Sequence, residues 1–288
     1  MTLREFAFDT AFGRLTGLRG GTPGAARVLA LHGWLDNAAS FVPLAPYLEG
    51  IELVALDLPG HGASAHLPLG ADYSLAGTVH AVLDTADQLG WDRFGLLAHS
   101  MGAAIGSILS AAAPERVSRF VAIEALGALS DTADHTAARL RESIAARRAL
   151  AGKRLRVFPD IDTAVRARMQ ANGLSEPVAR LLVERGIVPV EGEDGARGYS
   201  WSSDRRLTIT TAVRMIEDQV RDLLAHIECP TRVIYADPPP PYFPDALRQA
   251  RAALLAQGEL IKLPGTHHLH MEDPAAVAAA IGDFLRRE

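Results

Sequence analysis

Ser100 stands in Ala98-His99-Ser100-Met101-Gly102, with a small residue two positions to either side. A serine hydroxyl is inert until a neighbouring base takes its proton, and it attacks a carbonyl best from the apex of a sharp strand-to-helix turn. The surroundings meet that need. An apolar run, Phe94-Gly95-Leu96-Leu97, precedes the serine, and a small-residue segment, Ala103-Ala104-Ile105-Gly106-Ser107-Ile108-Leu109, follows it. Small residues at 98 and 102 let strand and helix pass closely, and the Met101 N–H at the helix start faces a developing oxyanion. The pattern is G-x-S-x-G with alanine in the first place. Alone, it also describes a plain strand-to-helix junction in which Ser100 caps the helix.

A base and an acid must come from elsewhere. His267-His268-Leu269-His270 offers three imidazoles. Three close histidines are also a metal-binding theme, but no distant carboxylate or cysteine pattern completes a site, so no metal is expected. Glu124 directly ends the apolar run Phe120-Val121-Ala122-Ile123, a costly position unless the carboxylate is paired or faces solvent. Asp237 is the alternative acid, after the run Thr231-Arg232-Val233-Ile234-Tyr235 and before four prolines. His32 and His61 belong to turns and read as structural, and His99 reads as a packed neighbour of the serine. Cys229 is the single cysteine, which excludes an intrachain disulfide, suits a reducing compartment and reads as a buried small hydrophobe.

The elements that position these groups follow a rhythm. Phe6-Ala7-Phe8 and Leu15-Thr16-Gly17-Leu18 read as an opening hairpin. Buried-type strands at Arg27-Val28-Leu29-Ala30-Leu31 and Ile51-Glu52-Leu53-Val54-Ala55-Leu56 flank a helix expected at 41–48. A helix at 75–89 has apolar residues at Val79, Val82, Leu83, Ala86 and Leu89. Short apolar strands separated by helices mean βαβ units and a mostly parallel sheet. The rhythm breaks at 129–207, where helix-like stretches at 132–150, 161–171 and 177–185, with no buried-type strand between them, lead to an acidic loop at 191–195. It resumes with helices near 212–226 and 245–255, a strand at 259–263 and a closing helix at 274–285. The expected organisation is an α/β core in two parts, 1–128 and 208–288, with a helical cap inserted at 129–207.

The 288 residues suffice for one large α/β domain. A hydrophobic content of 48% with 22% charged residues is that of a soluble globular chain, and a net charge of −5 gives no reason to expect a nucleic-acid partner. The N-terminus has neither a basic start nor an apolar signal core, and the uncharged stretch 95–114 is broken by His99, serines, glycines and a proline. A cytoplasmic protein with no membrane partner is expected.

With the serine turn, His32-Gly33-Trp34, the loop Asp57-Leu58-Pro59-Gly60-His61-Gly62-Ala63-Ser64 and His267 in this order, the chain resembles the α/β-hydrolase superfamily. The segment Leu31-His32-Gly33-Trp34-Leu35-Asp36-Asn37-Ala38-Ala39-Ser40-Phe41 more narrowly resembles its serine hydrolase-like proteins. The resemblance covers both parts of the core and leaves the cap outside. It implies Ser100 as nucleophile and His267 as base, because the family's histidine lies seven residues before the proline opening the last helix, here Pro274. It implies the backbones of Trp34 and Met101 as oxyanion donors. Many members carry the acid after the strand that ends here at Tyr235, but the corresponding position is Pro239, two residues beyond Asp237. Others carry it one strand earlier, where Glu124 stands, and Glu124 is preferred to Asp237. A serine rather than an aspartate nucleophile argues against the superfamily's dehalogenases and epoxide hydrolases. Acyl transfer without a cofactor remains. Carboxylic ester hydrolysis comes first; thioester or C–C bond hydrolysis, or ligand reception without turnover, are the alternatives. From 139 to 185 there are eleven Lys and Arg against five Asp and Glu, which is either a solvated surface or a basic lid for an anionic substrate.

Overall fold

The computed structural model describes all residues except 151, 153–155, 193, 194, 196 and 288. The chain opens with the antiparallel pair β1 (Arg4–Thr10) and β2 (Gly13–Gly21), followed by β3 (Ala26–Leu31) and β4 (Ile51–Leu56). Helix α1 (Leu75–Gln88), strand β5 (Phe94–His99), helix α2 (Met101–Ala112) and strand β6 (Val117–Ile123) complete the first part. Next come α3 (Thr136–Leu150), α4 (Ile161–Asn172), α5 (Glu176–Arg185) and the hairpin β7 (Ile187–Glu191) and β8 (Arg197–Trp201). The last part runs α6 (Glu217–Ala225), β9 (Thr231–Asp237), α7 (Asp245–Ala252), β10 (Gly258–Pro264), α8 (Leu269–Glu272) and α9 (Pro274–Ile281).

Eight strands form one sheet in the order β1-β2-β4-β3-β5-β6-β9-β10, parallel from β4 to β10. The continuous apolar runs of the central strands follow from burial on both faces. Leu29, Leu31, Leu96, Ala98, Phe120 and Ala122 point into one core, and the intervening Val28, Ala30, Leu97, Val121 and Ile123 into the other. Parallel strands bring their C-terminal ends to one edge, so the turns after β3, β5, β6 and β10 meet there.

Two expectations need correction. Residues 41–48 form no α-helix. They make two short 3₁₀ turns, Ala38–Phe41 and Ala45–Tyr47, because Pro43 and Pro46 interrupt the helical hydrogen-bond ladder. The stretch 129–207 is not wholly helical: β7 pairs with β8 in a sheet of its own, and Phe158 bridges to Tyr199. β7 alternates Ile187, Pro189 and Val188, Val190 over only five residues, too short a run to stand out. α3 buries none of its residues, whereas α4 and α5 share a small core of Ala164, Val165, Val178, Ala179, Leu182 and Val183. Part of the acidic loop (Glu193 and Asp194), with Lys153 and Arg154 of the basic stretch, lies outside the described residues. Among the described residues no helix is long and apolar enough to cross a membrane. Cys229 is buried.

Candidate active site

Ser100 joins β5 to α2 with φ 51° and ψ −115°, a backbone region that side chains other than glycine avoid at about 1–3 kcal/mol. The turn is held by two backbone hydrogen bonds. Ser100 N–H donates to Ile123 O at 2.8 Å, and Ala104 N–H donates to Ser100 O at 3.1 Å. Gly102 is obligatory for a separate reason: a Cβ there would lie 2.1 Å from Leu31 O, so α2 could not cross β3.

His267, in the turn after β10, has Nε2 2.9 Å from Ser100 Oγ and Nδ1 3.1 Å from Glu124 Oε2. The carboxylate can only accept, so Nδ1 carries the proton and Nε2 presents a lone pair to the serine hydroxyl. Glu124 is 4% exposed and adopts φ 60°, in the left-handed region. Its Oε1 accepts Ala236 N–H at 2.5 Å, and Arg248 Nη2 lies 3.3 and 3.4 Å from its two oxygens. The structure therefore brings Ser100, His267 and Glu124 together. Asp237 ends β9 exposed, and its side chain makes no bond to His267 among the described residues.

Trp34 and Met101 stand in the turns after β3 and β5, and the backbone N–H of neither is used in a hydrogen bond among the described residues. The Trp34 ring is 54% exposed, with Nε1 donating to Leu207 O at 2.9 Å, so it is no core residue. It walls a cavity of about 450 Å³ shared with Leu58, Leu75, Met101, Leu140 and Ile144.

Sequence reasoning missed a buried polar layer behind the site. Asp36 accepts from Arg168 of α4 and from His268 Nε2 at 3.3 Å, and lies 3.7 Å from His99 Nδ1. His99 Nε2 in turn donates to His267 O at 2.8 Å, so the loop carrying His267 is pinned from below. Burial outweighs all else at His99 and keeps its ring neutral. Asp36 is thus the distant carboxylate that the spacing argument lacked, and Asp36, His99 and His268 lie close enough to share an ion. The Arg168 guanidinium already neutralises Asp36, so a divalent ion would add uncompensated buried charge. We read a neutral hydrogen-bonded cluster. Asp57 anchors the other side. Burial raises its pKa, but Arg185 and the N–H of Ala38 outweigh that and hold it below the usual carboxylate range. His32 and His61 are buried structural rings: His32 Nδ1 donates to Gly33 O at 2.7 Å and Nε2 accepts Leu58 N–H at 3.0 Å, tying β3 to β4.

A nucleophile turn at the edge of this sheet, with a histidine and an acid converging on it, defines a hydrolase of the α/β type. The chain belongs to the alpha/beta hydrolase fold family, whose description matches residues 26–175. It is 30% identical over 272 residues to a serine hydrolase-like protein of Dictyostelium discoideum, covering 91% of this chain and 75% of that one. A hypothetical protein of Pseudomonas aeruginosa PAO1 superimposes with a TM-score of 0.91 at 40% identity, covering 98% of this chain and 99% of that one. The thioesterase domain of a curacin biosynthetic pathway gives a TM-score of 0.85 at 25% identity over 98% of this chain and 99% of that one.

Proposed function

We propose that this protein hydrolyses carboxylic esters through an acyl-enzyme on Ser100. The carrying observation is the unbroken chain Ser100 Oγ–His267–Glu124, at 2.9 and 3.1 Å. His267 Nε2 takes the Ser100 proton as Oγ bonds to the ester carbon. The oxyanion is met by the N–H groups of Trp34 and Met101, and Glu124 stabilises the imidazolium. The imidazolium then protonates the departing alcohol. A water deprotonated by His267 cleaves the acyl-enzyme, releasing the acid and returning the proton to Ser100. Each step uses groups of this chain and water.

The acyl part fits the cavity of about 450 Å³ beside Trp34 and Met101, whose walls are mostly apolar, with Asp72, Arg147 and Arg206 among the lining, which favours a hydrocarbon chain. We take 129–207 as the cap over it, with Leu140 and Ile144 of α3 as its inner face. A thioester is the second reading, supported by the likeness to the curacin thioesterase domain. The excess of basic residues in the cap gives it little further weight. Arg139, Arg147, Arg168, Arg180 and Arg185 are all paired with carboxylates, so steering of an anion is not their main use. Hydrolysis of a C–C bond would use the same groups, and a pure ligand receptor would have no need of them.

The test is labelling by a fluorophosphonate together with p-nitrophenyl ester hydrolysis across acyl lengths. We expect stoichiometric labelling that is lost in Ser100→Ala and His267→Ala, a large loss of kcat in Glu124→Gln, and near wild-type kcat in Asp237→Asn. Labelling without turnover of any ester would move the proposal to thioesters. No labelling at all would sink it.

A further inference from the structure

Glu124 does not stand alone with its histidine. A fully buried arginine, Arg248 of α7, shares its carboxylate at 3.3 and 3.4 Å, with both side chains 1% exposed. Arg248 is itself fixed. Its guanidinium lies 4.3 Å over the Tyr235 ring and 5.5 Å from the Phe243 ring, and Nη1 donates to Ala236 O at 2.7 Å. Residue 236 is therefore gripped twice, its N–H by Glu124 and its carbonyl by Arg248. A carboxylate this deep, with only one amide and one imidazole as partners, would leave its buried charge uncompensated. The Arg248 guanidinium, set against both carboxylate oxygens, supplies the counter-charge and keeps it at every relevant pH.

We propose that Arg248 is a positioning residue of the hydrolytic site, acting from α7 to balance the buried charge of Glu124 and keep its carboxylate aimed at His267 Nδ1. The proposal rests on the Ser100–His267–Glu124 reading above. It explains why the acid can sit at the end of β6 and the proline run after β9 need supply none. The charged and titratable groups around Glu124 and His267 are Arg248 and Arg251 from α7, Tyr235 from β9, Tyr242 beyond it, His99 from β5 and His268. Among the described residues, only Arg248 and His267 place a charged or titratable side chain against the Glu124 carboxylate.

The readout is the rate of fluorophosphonate labelling of Ser100 against pH, in the full chain, for wild type, Arg248→Lys, Arg248→Met, Glu124→Gln and the double variant Glu124→Gln/Arg248→Met. In Arg248→Met the acidic limb should move up by about one pH unit or more, so that labelling near neutrality falls about tenfold and recovers in alkali. Arg248→Lys should keep the limb near its wild-type position. On the Glu124→Gln background, adding Arg248→Met should change the rate less than about twofold, because no carboxylate remains to hold. This double variant buries neither charge, so it tests the coupling even where Arg248→Met fails to fold. An unmoved limb overturns the proposal, as does a uniform loss at every pH or a full additional loss in the double variant. In each of those cases Ser100 still labels in wild type, so the triad reading survives. If wild type does not label, it is the triad reading that fails.

Discussion

The turn at Ser100 makes a signed prediction about stability that is independent of substrate. Replace Ser100 by alanine and, separately, by glycine. Both remove the hydroxyl and its bond to His267, so that loss cancels in the comparison. Alanine must still adopt φ 51° and ψ −115°, at about 1–3 kcal/mol, whereas glycine takes that conformation freely. Glycine loses about 0.5–1 kcal/mol more backbone freedom on folding. The difference leaves Ser100→Gly more stable than Ser100→Ala by about 1 kcal/mol, and at most about 2.5 kcal/mol. Urea unfolding of the two inert variants measures it, and Ala145→Gly on the exposed face of α3 supplies the opposite sign, a loss of about 0.8–1.0 kcal/mol. If Ser100→Gly unfolds at lower urea than Ser100→Ala, the turn stores no strain and the backbone argument for this serine is wrong.

Stability should also fall as the pH drops below about 6.5. His61 and His270 are held down to about 3, by burial first and then by other histidines, and His32 and His99 are lowered by burial too. Between about pH 3 and 6.5 the unfolded chain binds protons that the folded rings refuse. Stability is therefore complete above that window and drains as pH falls through it. Each ring contributes about 1.4 kcal/mol per pH unit, so His61 and His270 alone remove about 2–3 kcal/mol between pH 6 and 5; a urea midpoint that stays level there would contradict this. Arg185→Ala should cost about 3–5 kcal/mol, since it strands the fully buried Asp57. Asp57→Asn on top of it should restore part of that loss, and a single-variant loss under about 1 kcal/mol would mean that water replaces the guanidinium.

The core strands and the serine turn were legible because each depends on one local property: an apolar run buried on two faces, or small residues around a strained apex. Glu124 was legible for a related reason, as a charge at the end of an apolar strand demands a partner. Arg248 was not. In α7 the arginines at 248 and 251 occupy the buried face, so a hydropathy pattern assigns them to solvent. Asp36 and Arg168 escaped because their meeting depends on how α4 docks on the turn after β3, a contact 132 residues apart in sequence. The β7–β8 hairpin escaped because its strands are short and pair outside the main sheet.

Ser100 and Glu124 end adjacent strands, β5 and β6, hydrogen-bonded side by side in the sheet. The proposed nucleophile and acid are therefore spaced by a single inter-strand repeat, and no loop length enters the distance between them. That frees the connection after β9, residues 238–241, from carrying any reacting group. Such a segment can accumulate changes, or accept an engineered insertion, at little catalytic risk. The same arrangement moves the vulnerability of the site to α7, where drift at one arginine would reach the reaction from a helix that carries none of the proposed reacting groups.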